Sequence, residues 1–327
     1  MKLYDDKLIV VTGGAGFIGS GVIKELNNRG FNNILVVDNL GTSEKWKNLV
    51  GKRFVDVLHK GALFSWLEGR EDEIEAFIHL GACSSTVEQD ANYLLENNYR
   101  YTLKLAEYAL RNNHRFIYAS SAATYGDGLR GFSDDHSALE EFQPLNMYGY
   151  SKHLFDLWAE RQGVLNQLVG LKYFNVYGPN EYHKGRMSSA IVRMVPEVIE
   201  KGTIRLFKSE DSDFGDGEQK RDFIYVKDAA RMTCDFLANP AGGVFNIGTG
   251  EAVSWNRLAK AVFLALGRPH NITYIDMPQD LRGKYQNFTQ ADMQKTRKAL
   301  EKNAITIPLE EAISDYVQHY LVKSARW

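Results

Sequence analysis

The sequence lacks any long hydrophobic run and contains very little cysteine. No stretch of the 327 residues approaches the roughly 20 apolar residues that cross a bilayer. Residues 1–6 carry two aspartates where a secretory signal needs basic and apolar runs. The two cysteines, Cys83 and Cys234, are too few for a disulfide framework and are typical of a reducing compartment. We therefore expect a cytoplasmic protein that does not enter a membrane.

A strong net charge is also lacking. The chain has 39 Lys+Arg and 41 Asp+Glu, which gives a formal charge of -2. This balance offers no overall attraction to nucleic acid or to an anionic membrane, so an anionic ligand must be bound by a few local groups. No cluster of metal-ligating residues stands out, and we expect no metal. Hydrophobic residues make up 44% of the chain, which is enough at this length for one large domain or two.

Short apolar runs alternate with helix-like stretches, a pattern typical of a parallel α/β sheet. The clearest helical pattern extends from Tyr93 to Leu110. The predicted buried strands are Leu8–Val11, Ile34–Val37, Ala76–His79, Arg115–Tyr118, Leu168–Phe174 and Gly243–Ile247. We therefore predict an α/β fold with a doubly wound parallel sheet (Rossmann) and a second, smaller α/β substrate domain.

Two long polar stretches interrupt the alternation. Loops of this length are usually functional or mobile. Residues 126–143 separate the predicted strand at Arg115–Tyr118 from Tyr148, which favours a substrate-facing wall. For the acidic residues 208–220, a functional loop and a disordered surface insertion are equally good interpretations.

A glycine-rich loop directly follows the first predicted strand. Gly13, Gly16 and Gly19 lie between that strand and a helical pattern, and they permit a tight turn, close approach to a pyrophosphate and close helix–strand packing. The free N–H groups of the helix N-terminus suit phosphates. Asp38 ends the second strand about twenty residues later, where a carboxylate reaches an adenosine ribose. The loop therefore predicts a site for a nicotinamide dinucleotide.

The residues around Asp38 conflict over the cofactor. A carboxylate at this position normally binds the ribose 2′-OH of NAD and repels a 2′-phosphate. Asn39, Lys45 and Lys60 follow, and lysines suit the 2′-phosphate of NADP. The physical chemistry of the sequence alone leans slightly toward NAD.

Tyr148 and Lys152 lie four residues apart in a predicted helix and therefore share one face. A tyrosine ordinarily has a pKa of about 10, and a neighbouring cation lowers it. The pair thus suits removal of a proton from an alcohol while a nicotinamide takes the hydride. This spacing is also common on exposed helices, but the glycine loop and Ser120–Ser121 favour the catalytic interpretation.

Further motifs carry a resemblance to a known family. They lie at Gly81–Thr86, Asn97–Asn98, Ser120–Gly126, Tyr173–Pro179, His183–Gly185, Arg221–Val226, Gly283–Gln286 and Phe288–Gln290. Together they resemble the extended short-chain dehydrogenases/reductases that act on nucleotide sugars, over nearly the whole chain. The similarity is greatest to the branch that epimerises ADP-linked heptoses. The chain departs from that branch at Leu80, Arg186 and Arg193, where Glu, Ser and His are usual.

The resemblance implies a chemistry and assigns residues to it. C6 of an ADP-heptose is oxidised to a ketone and reduced from the opposite face, with NADP preferred over NAD, to supply a lipopolysaccharide precursor. Tyr148 and Lys184 are the implied acid/base groups, Ser121 binds the reacting oxygen, and Lys152 binds the nicotinamide ribose. The implied cofactor-binding residues are Gly13, Gly16, Phe17, Ile18, Gly19, Asp38, Asn39, Lys45, Lys60, Leu80, Gly81, Ala82, Cys83, Ser84, Asn97, Tyr148, Lys152, Val176 and Lys184. The implied substrate-binding residues are Ser121, Asn175, Arg186, Arg193, Phe207, Lys208, Ser209, Glu210, Arg221 and Tyr285.

The resemblance also implies a homo-oligomer, with a pentamer expected, and two domains. We expect the NADP-binding domain to comprise residues 1–174, 230–250 and 287–306. The substrate-binding domain then comprises residues 175–229, 251–286 and 307–327.

Three alternatives compete with this interpretation. A nucleotide-sugar 4,6-dehydratase needs an acid and a base directly after the catalytic hydroxyl, whereas Ala122 and Ala123 follow Ser121. A UDP-hexose 4-epimerase needs only the Ser, Tyr and Lys and does not require His183–Gly185. A non-catalytic NADP-sensing protein has no need for the complete set of Tyr148, Lys152 and Ser121.

Overall fold

A seven-stranded parallel sheet forms the centre of the protein. The computed structural model describes residues 6–278 and 286–327. The described strands are β1 (Leu8–Thr12), β2 (Ile34–Asp38), β3 (Asp56–His59), β4 (Ile74–His79), β5 (Arg115–Ser121), β6 (Val169–Tyr173), β7 (Asn175–Tyr177), β8 (Ile204–Phe207), β9 (Lys220–Arg221), β10 (Phe223–Tyr225), β11 (Gly243–Ile247), β12 (Val253–Ser254) and β13 (Ile272–Ile275). The order across the large sheet is β3-β2-β1-β4-β5-β6-β11. This order is that of a doubly wound sheet, so the predicted fold class is confirmed.

All six predicted strands belong to this sheet, and β3 was not located from the sequence. Strands β2 and β6 are buried at every position because helices cover both faces of the sheet. By contrast, β3 lies at the edge, with Asp56 and His59 exposed. An edge strand of this kind contains no continuous apolar run, which explains why the pattern missed it.

Helices connect the parallel strands and pack on the sheet. The α-helices are α1 (Phe17–Asn28), α2 (Leu63–Trp66), α3 (Ala91–Leu94), α4 (Tyr101–Arg111), α5 (Met147–Arg161), α6 (Ala190–Lys201), α7 (Val226–Ala238), α8 (Trp255–Ala265), α9 (Gln294–Leu300) and α10 (Leu309–Tyr316). A π-helical turn, Leu95–Arg100, joins α3 to α4, so the predicted helix from Tyr93 to Leu110 is confirmed as one continuous stretch. Within the described residues, no helix is both long and apolar enough to span a bilayer.

A second hydrophobic core lies beside the sheet. It is formed by α6, α8 and α10 together with three two-stranded sheets, which pair β7 with β10, β9 with β12, and β8 with β13. Phe17 at the start of α1 is buried in this second core. The glycine loop and the second core therefore meet at Phe17. The division of the chain into two domains with the stated boundaries remains a prediction.

The two long polar stretches have different surroundings. Residues 126–143 pack on β11, where Asp134 accepts a hydrogen bond from the main chain of Asn246 and His136 accepts one from Val244. None of these residues is among those that line the cavities described below, and the expected substrate-facing wall remains a prediction. In residues 208–220, the side chain of Asp216 accepts a hydrogen bond from the main-chain N–H of Ser209. The main-chain carbonyl of Asp216 accepts a second hydrogen bond, from the side chain of Asn256. This segment forms a hydrogen-bonded surface loop.

Candidate active site

The predicted catalytic side chains meet in one cavity at the carboxyl edge of the sheet. Ser121, Tyr148, Lys152 and Lys184 all line this catalytic cavity, whose volume is about 400 Å³. In a doubly wound sheet, ligands bind at this edge, where the strand order reverses. The structure thus brings together four residues that span more than sixty positions of the sequence.

Tyr148 is placed by the close approach of two main-chain segments. It lies in the first turn of α5, whose N-terminus is capped by the side chain of Asn146. A Cβ atom on Gly149 would lie 2.6 Å from the carbonyl oxygen of Ala123. Only glycine therefore allows α5 to pack this closely against the turn after β5, which brings Tyr148 to Ser121.

The electrostatics of Tyr148 differ from the sequence-based expectation. Burial raises the pKa of Tyr148, and the nearby Ser121 hydroxyl lowers it by a smaller amount. The Lys152 ammonium donates to the carbonyl oxygen of Ala119 at 2.8 Å, and it is not among the groups that lower the tyrosine pKa. The expectation of a lysine-lowered tyrosine pKa is therefore wrong for this arrangement.

Lys152 and Lys184 are both cations in a protected environment. Burial lowers the pKa of Lys152 to about 8, although Asp156 and Cys83 act to raise it. Burial also lowers the pKa of Lys184, while Glu181 opposes this effect. Both amines lose a proton more readily than an ordinary lysine does.

Lys184 lies on a short turn, Tyr182–Met187, which reaches across the cavity from the second core. Its ammonium is 5.4 Å from the centre of the Phe17 ring. Glu181 anchors the turn by accepting hydrogen bonds from Ser189 and from the hydroxyl of Tyr316. Lys184 is therefore a positioned group and not a solvated loop lysine.

Asn48 connects this turn to the glycine loop and was missed by the sequence analysis. Its Nδ2 atom donates to the carbonyl oxygens of Ala15 at 3.1 Å and Asn180 at 3.0 Å. The same atom lies 3.3 Å from Nδ1 of His183. A buried amide in a 3₁₀ turn has no sequence signature, because its role depends only on where distant segments meet.

The glycine loop has the geometry that a pyrophosphate requires. Gly13 has a φ of +68°, a conformation that favours glycine, and a Cβ on Gly19 would lie 2.1 Å from the carbonyl oxygen of Gly13. Helix α1 begins at Phe17 after Gly16, and no side chain caps its N-terminus. The free N–H groups of a twelve-residue helix therefore face the position of the phosphates.

A second cavity of about 160 Å³ contains the groups that surround Asp38. The Lys45 ammonium lies 2.6 Å from Oδ1 of Asp38, and the Lys60 ammonium lies 2.5 Å from Oδ1 of Asn97. The π-helical turn carries Asn97, and such turns are frequent at functional sites. Other predicted cofactor residues that line this cavity are Gly13, Asn39, Gly81 and Ala82. The negative charge of Asp38 is thus offset by a lysine.

The loop after β4 passes between the two cavities. Leu80, Ala82 and Ser84 line the catalytic cavity together with Phe17, Ile18 and Val176, all of them predicted cofactor residues. Cys83 is not among the lining residues, but its main chain exchanges two hydrogen bonds with the side chain of Asn98. Asn98 therefore fixes the loop, while Cys83 contributes its main chain.

A third cavity, of about 470 Å³, extends from the catalytic cavity toward the surface loop. Phe207 lines it, and Arg193 and Trp255 line both this cavity and the catalytic one. Asn175 lines the catalytic cavity. The predicted substrate residues Asn175, Arg193 and Phe207 therefore line two neighbouring cavities that share Arg193 and Trp255.

Other predicted substrate residues lie outside these cavities. Arg186 is exposed, as is Glu210, and Lys208 forms an exposed ion pair with Asp276. Ser209 is bonded within its own loop, and Arg221 is buried with one guanidinium N–H donating to the carbonyl oxygen of Lys220. Tyr285 lies outside the described residues. The structure therefore does not place the five described residues at the cavity walls.

Comparisons with known proteins agree with this geometry. The sequence pattern of the NAD dependent epimerase/dehydratase family matches residues 9–248. The chain is 53% identical over 317 residues to an ADP-L-glycero-D-manno-heptose-6-epimerase of Nitratidesulfovibrio vulgaris (strain DP4), covering 96% of this chain and 98% of that protein. A protein of the same name from Fusobacterium nucleatum subsp. nucleatum is 46% identical over 328 residues, covering 97% and 98%. The crystal structure of the Helicobacter pylori ADP-L-glycero-D-manno-heptose-6-epimerase matches 96% of both chains at 28% identity, with a TM-score of 0.80.

Replacement of Gly19 by alanine tests the glycine loop. The added Cβ would collide with the Gly13 carbonyl, and overpacking of this kind typically costs about 1–3 kcal/mol. We expect Gly19→Ala to lower the free energy of unfolding by that amount and to weaken binding of a nicotinamide dinucleotide, measured by calorimetry. Gly215→Ala is the control, because a Cβ there meets nothing closer than Glu218 at 3.7 Å. Equal dinucleotide affinity in both variants would contradict the assignment.

Proposed function

Because the chain belongs to the NAD dependent epimerase/dehydratase family, we propose that it is an ADP-heptose 6-epimerase. It converts ADP-D-glycero-β-D-manno-heptose to ADP-L-glycero-β-D-manno-heptose and so supplies a lipopolysaccharide precursor. The observation that carries this proposal is the presence of two separate proton-transfer groups, Tyr148 and Lys184, in one cavity beside the dinucleotide loop. The names of the relatives that match nearly the full length support the same reaction.

The chain's own residues would bind the dinucleotide at three places. The N-terminus of α1 would face the pyrophosphate, Asp38 with Lys45 and Lys60 would surround the adenosine ribose, and Lys152 would bind the nicotinamide ribose. The nicotinamide supplies an acceptor and donor for the hydrogen on C6. The uncapped helix end and the cation-rich second cavity fit such a ligand.

Proton transfer at the C6 oxygen is the task of the side chains. The C6–H bond of an unactivated secondary alcohol is not acidic, so inversion requires a transient ketone. Tyr148, which lies in the same cavity as Ser121, exchanges the proton of the C6 oxygen in one configuration. Lys184 does so in the other, and its lowered pKa favours the neutral amine that accepts a proton.

We propose NADP as the preferred cofactor. A free carboxylate at Asp38 would repel a 2′-phosphate, but Lys45 lies 2.6 Å from it and offsets its charge. Lys60 lines the same cavity and provides a second cation. Two lysines around one carboxylate leave a net positive charge, which supports a phosphorylated ribose. The family shows only that the cofactor is a nicotinamide dinucleotide.

The substrate's nucleotide extends along the path through Arg193 toward Phe207. We assign the sugar to the catalytic cavity and the ADP to the third cavity, because Arg193 lies between the two and presents a planar cation to a diphosphate.

The proposal also includes a homo-oligomer, with a pentamer as the expected state, and a cytoplasmic setting. The free thiols of Cys83 and Cys234 support the latter.

A UDP-hexose 4-epimerase is the second candidate. It needs Ser121, Tyr148 and Lys152 alone, all of which line the catalytic cavity. The placement of Lys184 beside Phe17 favours the 6-epimerase, since a single-base reaction has no use for a second amine there. A non-catalytic sensor is disfavoured for the same reason.

Incubation with ADP-D-glycero-β-D-manno-heptose tests the function directly. We expect the configuration at C6 to be inverted, which NMR detects. The amount of oxidised cofactor should show no net change. UDP-glucose serves as the comparison substrate, and its selective epimerisation at C4 would establish the second candidate instead.

Removal of either proton-transfer group tests the two-base arrangement. Positioned acid/base groups contribute about 10²–10⁴ in rate. We expect Tyr148→Phe and Lys184→Ala each to lower kcat by about that factor while cofactor affinity is retained. Each variant should impair proton transfer more for one C6 configuration than for the other. A pair of substrates, one of which can only be oxidised and the other only reduced, measures this difference.

Matched controls use residues of the same type outside the cavities. Tyr150 is exposed on the same helix as Tyr148, and Lys201 is exposed at the end of α6. Tyr150→Phe and Lys201→Ala should epimerise at the wild-type rate. An unaltered rate for Lys184→Ala would show that the reaction uses a single base.

Replacement of Lys45 and Lys60 tests the choice of cofactor. Hydrogen bonds to a charged group are each worth about 1.5–3 kcal/mol, so loss of both should weaken NADP binding by about 10²-fold or more. NAD binding should change little, because Asp38 then becomes available to the ribose 2′-OH. Lys47→Ala, which removes an exposed lysine paired with Glu44, is the control. Equal losses for the two dinucleotides would show that NAD is the cofactor.

A further inference from the structure

Behind the catalytic cavity lies a buried ion pair that the proposed reaction does not use. The Asp156 carboxylate on α5 is 2.9 Å from the Lys172 ammonium on β6, and both side chains have 0% exposure. Withdrawal of two charges from water carries a large penalty, and apolar residues of similar volume often stabilise a protein as well or better. Stability alone therefore does not explain why the protein contains this ion pair.

The carboxylate binds the end of β5 at two points. Its Oδ1 accepts a hydrogen bond from the Tyr118 hydroxyl at 2.9 Å, and its Oδ2 accepts one from the Ser120 hydroxyl at 2.7 Å. Tyr118 and Ser120 flank Ala119, whose carbonyl oxygen accepts the hydrogen bond from Lys152. Asp156 thus fixes the strand segment that binds Lys152 and precedes Ser121.

The ammonium of the pair secures the opposite side of Ser121. Lys172 donates to the hydroxyl of Thr124 at 2.5 Å, and that hydroxyl donates to the carbonyl oxygen of Ser121 at 2.8 Å. The main chain before and after Ser121 is therefore connected to the same ion pair. The ion pair thus lies between α5 and both sides of Ser121.

Helix α5 carries three of the groups concerned. Tyr148, Lys152 and Asp156 are four residues apart and share one face of the helix. The charge of Asp156 raises the pKa of Lys152 against the effect of burial. Other titratable or charged groups also face Asp156, Lys152 or Tyr148. Within the described residues they are Lys172 on β6, Tyr118 on β5, Tyr125 after β5, His79 at the end of β4, Cys83 in the loop after β4, His136 before α5 and His153 on α5.

We propose that Asp156 is a positioning residue for this active site: with Lys172 it fixes the end of β5 so that Ser121 and Lys152 meet Tyr148 in the reactive arrangement. Its kinetic consequence rests on the proposed function. Its effect on the position of Ser121 relative to Tyr148 does not rest on that function.

A double variant separates positioning from folding. Asp156→Asn alone leaves the Lys172 ammonium buried without its counter-charge and therefore disturbs folding. Asp156→Asn combined with Lys172→Met replaces the pair by neutral groups of similar size, which usually preserves stability. We expect a folded protein with wild-type dinucleotide affinity, an unchanged KM, and a kcat lowered about 10²-fold, the effect of a displacement near 1 Å.

A spectroscopic readout does not depend on turnover. The nearby Ser121 hydroxyl lowers the pKa of Tyr148. If Ser121 is displaced from the tyrosine, the phenolate should form at higher pH than in the wild type. Its near-ultraviolet absorbance is isolated by subtracting the spectrum of the matching Tyr148→Phe protein. A purely structural ion pair would leave this titration unmoved.

Two further variants make the experiment decisive. Tyr118→Phe removes one donor to Asp156 and keeps the ring, and it should shift the titration and kcat in the same directions by a smaller amount. Asp134→Asn alters an equally buried carboxylate that binds Asn246 on β11, and it should leave both unchanged. A folded double variant with wild-type kcat and titration overturns the proposal; if the double variant does not fold, a wild-type result for Tyr118→Phe overturns it. An inactive wild type would refute the proposed function, and the titrations would still decide the role of Asp156.

Discussion

The close packing of α5 against the end of β5 is the constraint on which the active site depends. Gly149 allows the first turn of the helix to lie against the carbonyl oxygen of Ala123. Once this contact is made, the helix periodicity brings Tyr148 to Ser121 and Lys152 to the carbonyl of Ala119. The dinucleotide loop and the Lys184 turn then approach from β1 and from the second core. Their arrangement is useful only because the α5–β5 contact is fixed.

Much of this arrangement follows from local sequence. The six strands were predictable because burial on both faces of a parallel sheet requires continuous apolar runs. The glycine loop was predictable because only glycine tolerates its geometry, and Tyr148 with Lys152 because helical spacing is a short-range property. Lys184, Arg193 and Phe207 were assigned through resemblance, and the structure places all three at cavity walls.

The remainder depends on contacts between distant segments. The pairing of Lys45 with Asp38 and the junction formed by Asn48 need the folded chain, as does the burial that raises the pKa of Tyr148. The edge strand β3 contains too few apolar residues to be predicted from the sequence. Arg186 and Lys208 were also assigned through resemblance, but both side chains are exposed outside the described cavities, and their role in substrate binding remains a prediction.

The wall shared by two cavities has a consequence for the ketone of the proposed reaction. Arg193 and Trp255 border both the space around Tyr148 and the space around Phe207. If the nucleotide binds in one space as proposed, the oxidised sugar would be able to turn in the other without leaving the protein. The bound nucleotide would thereby keep the ketone in the protein long enough for its second face to turn toward the cofactor before the sugar dissociates. Each turnover then returns the cofactor to its starting oxidation state, and the reaction draws nothing from the redox pool of the cell.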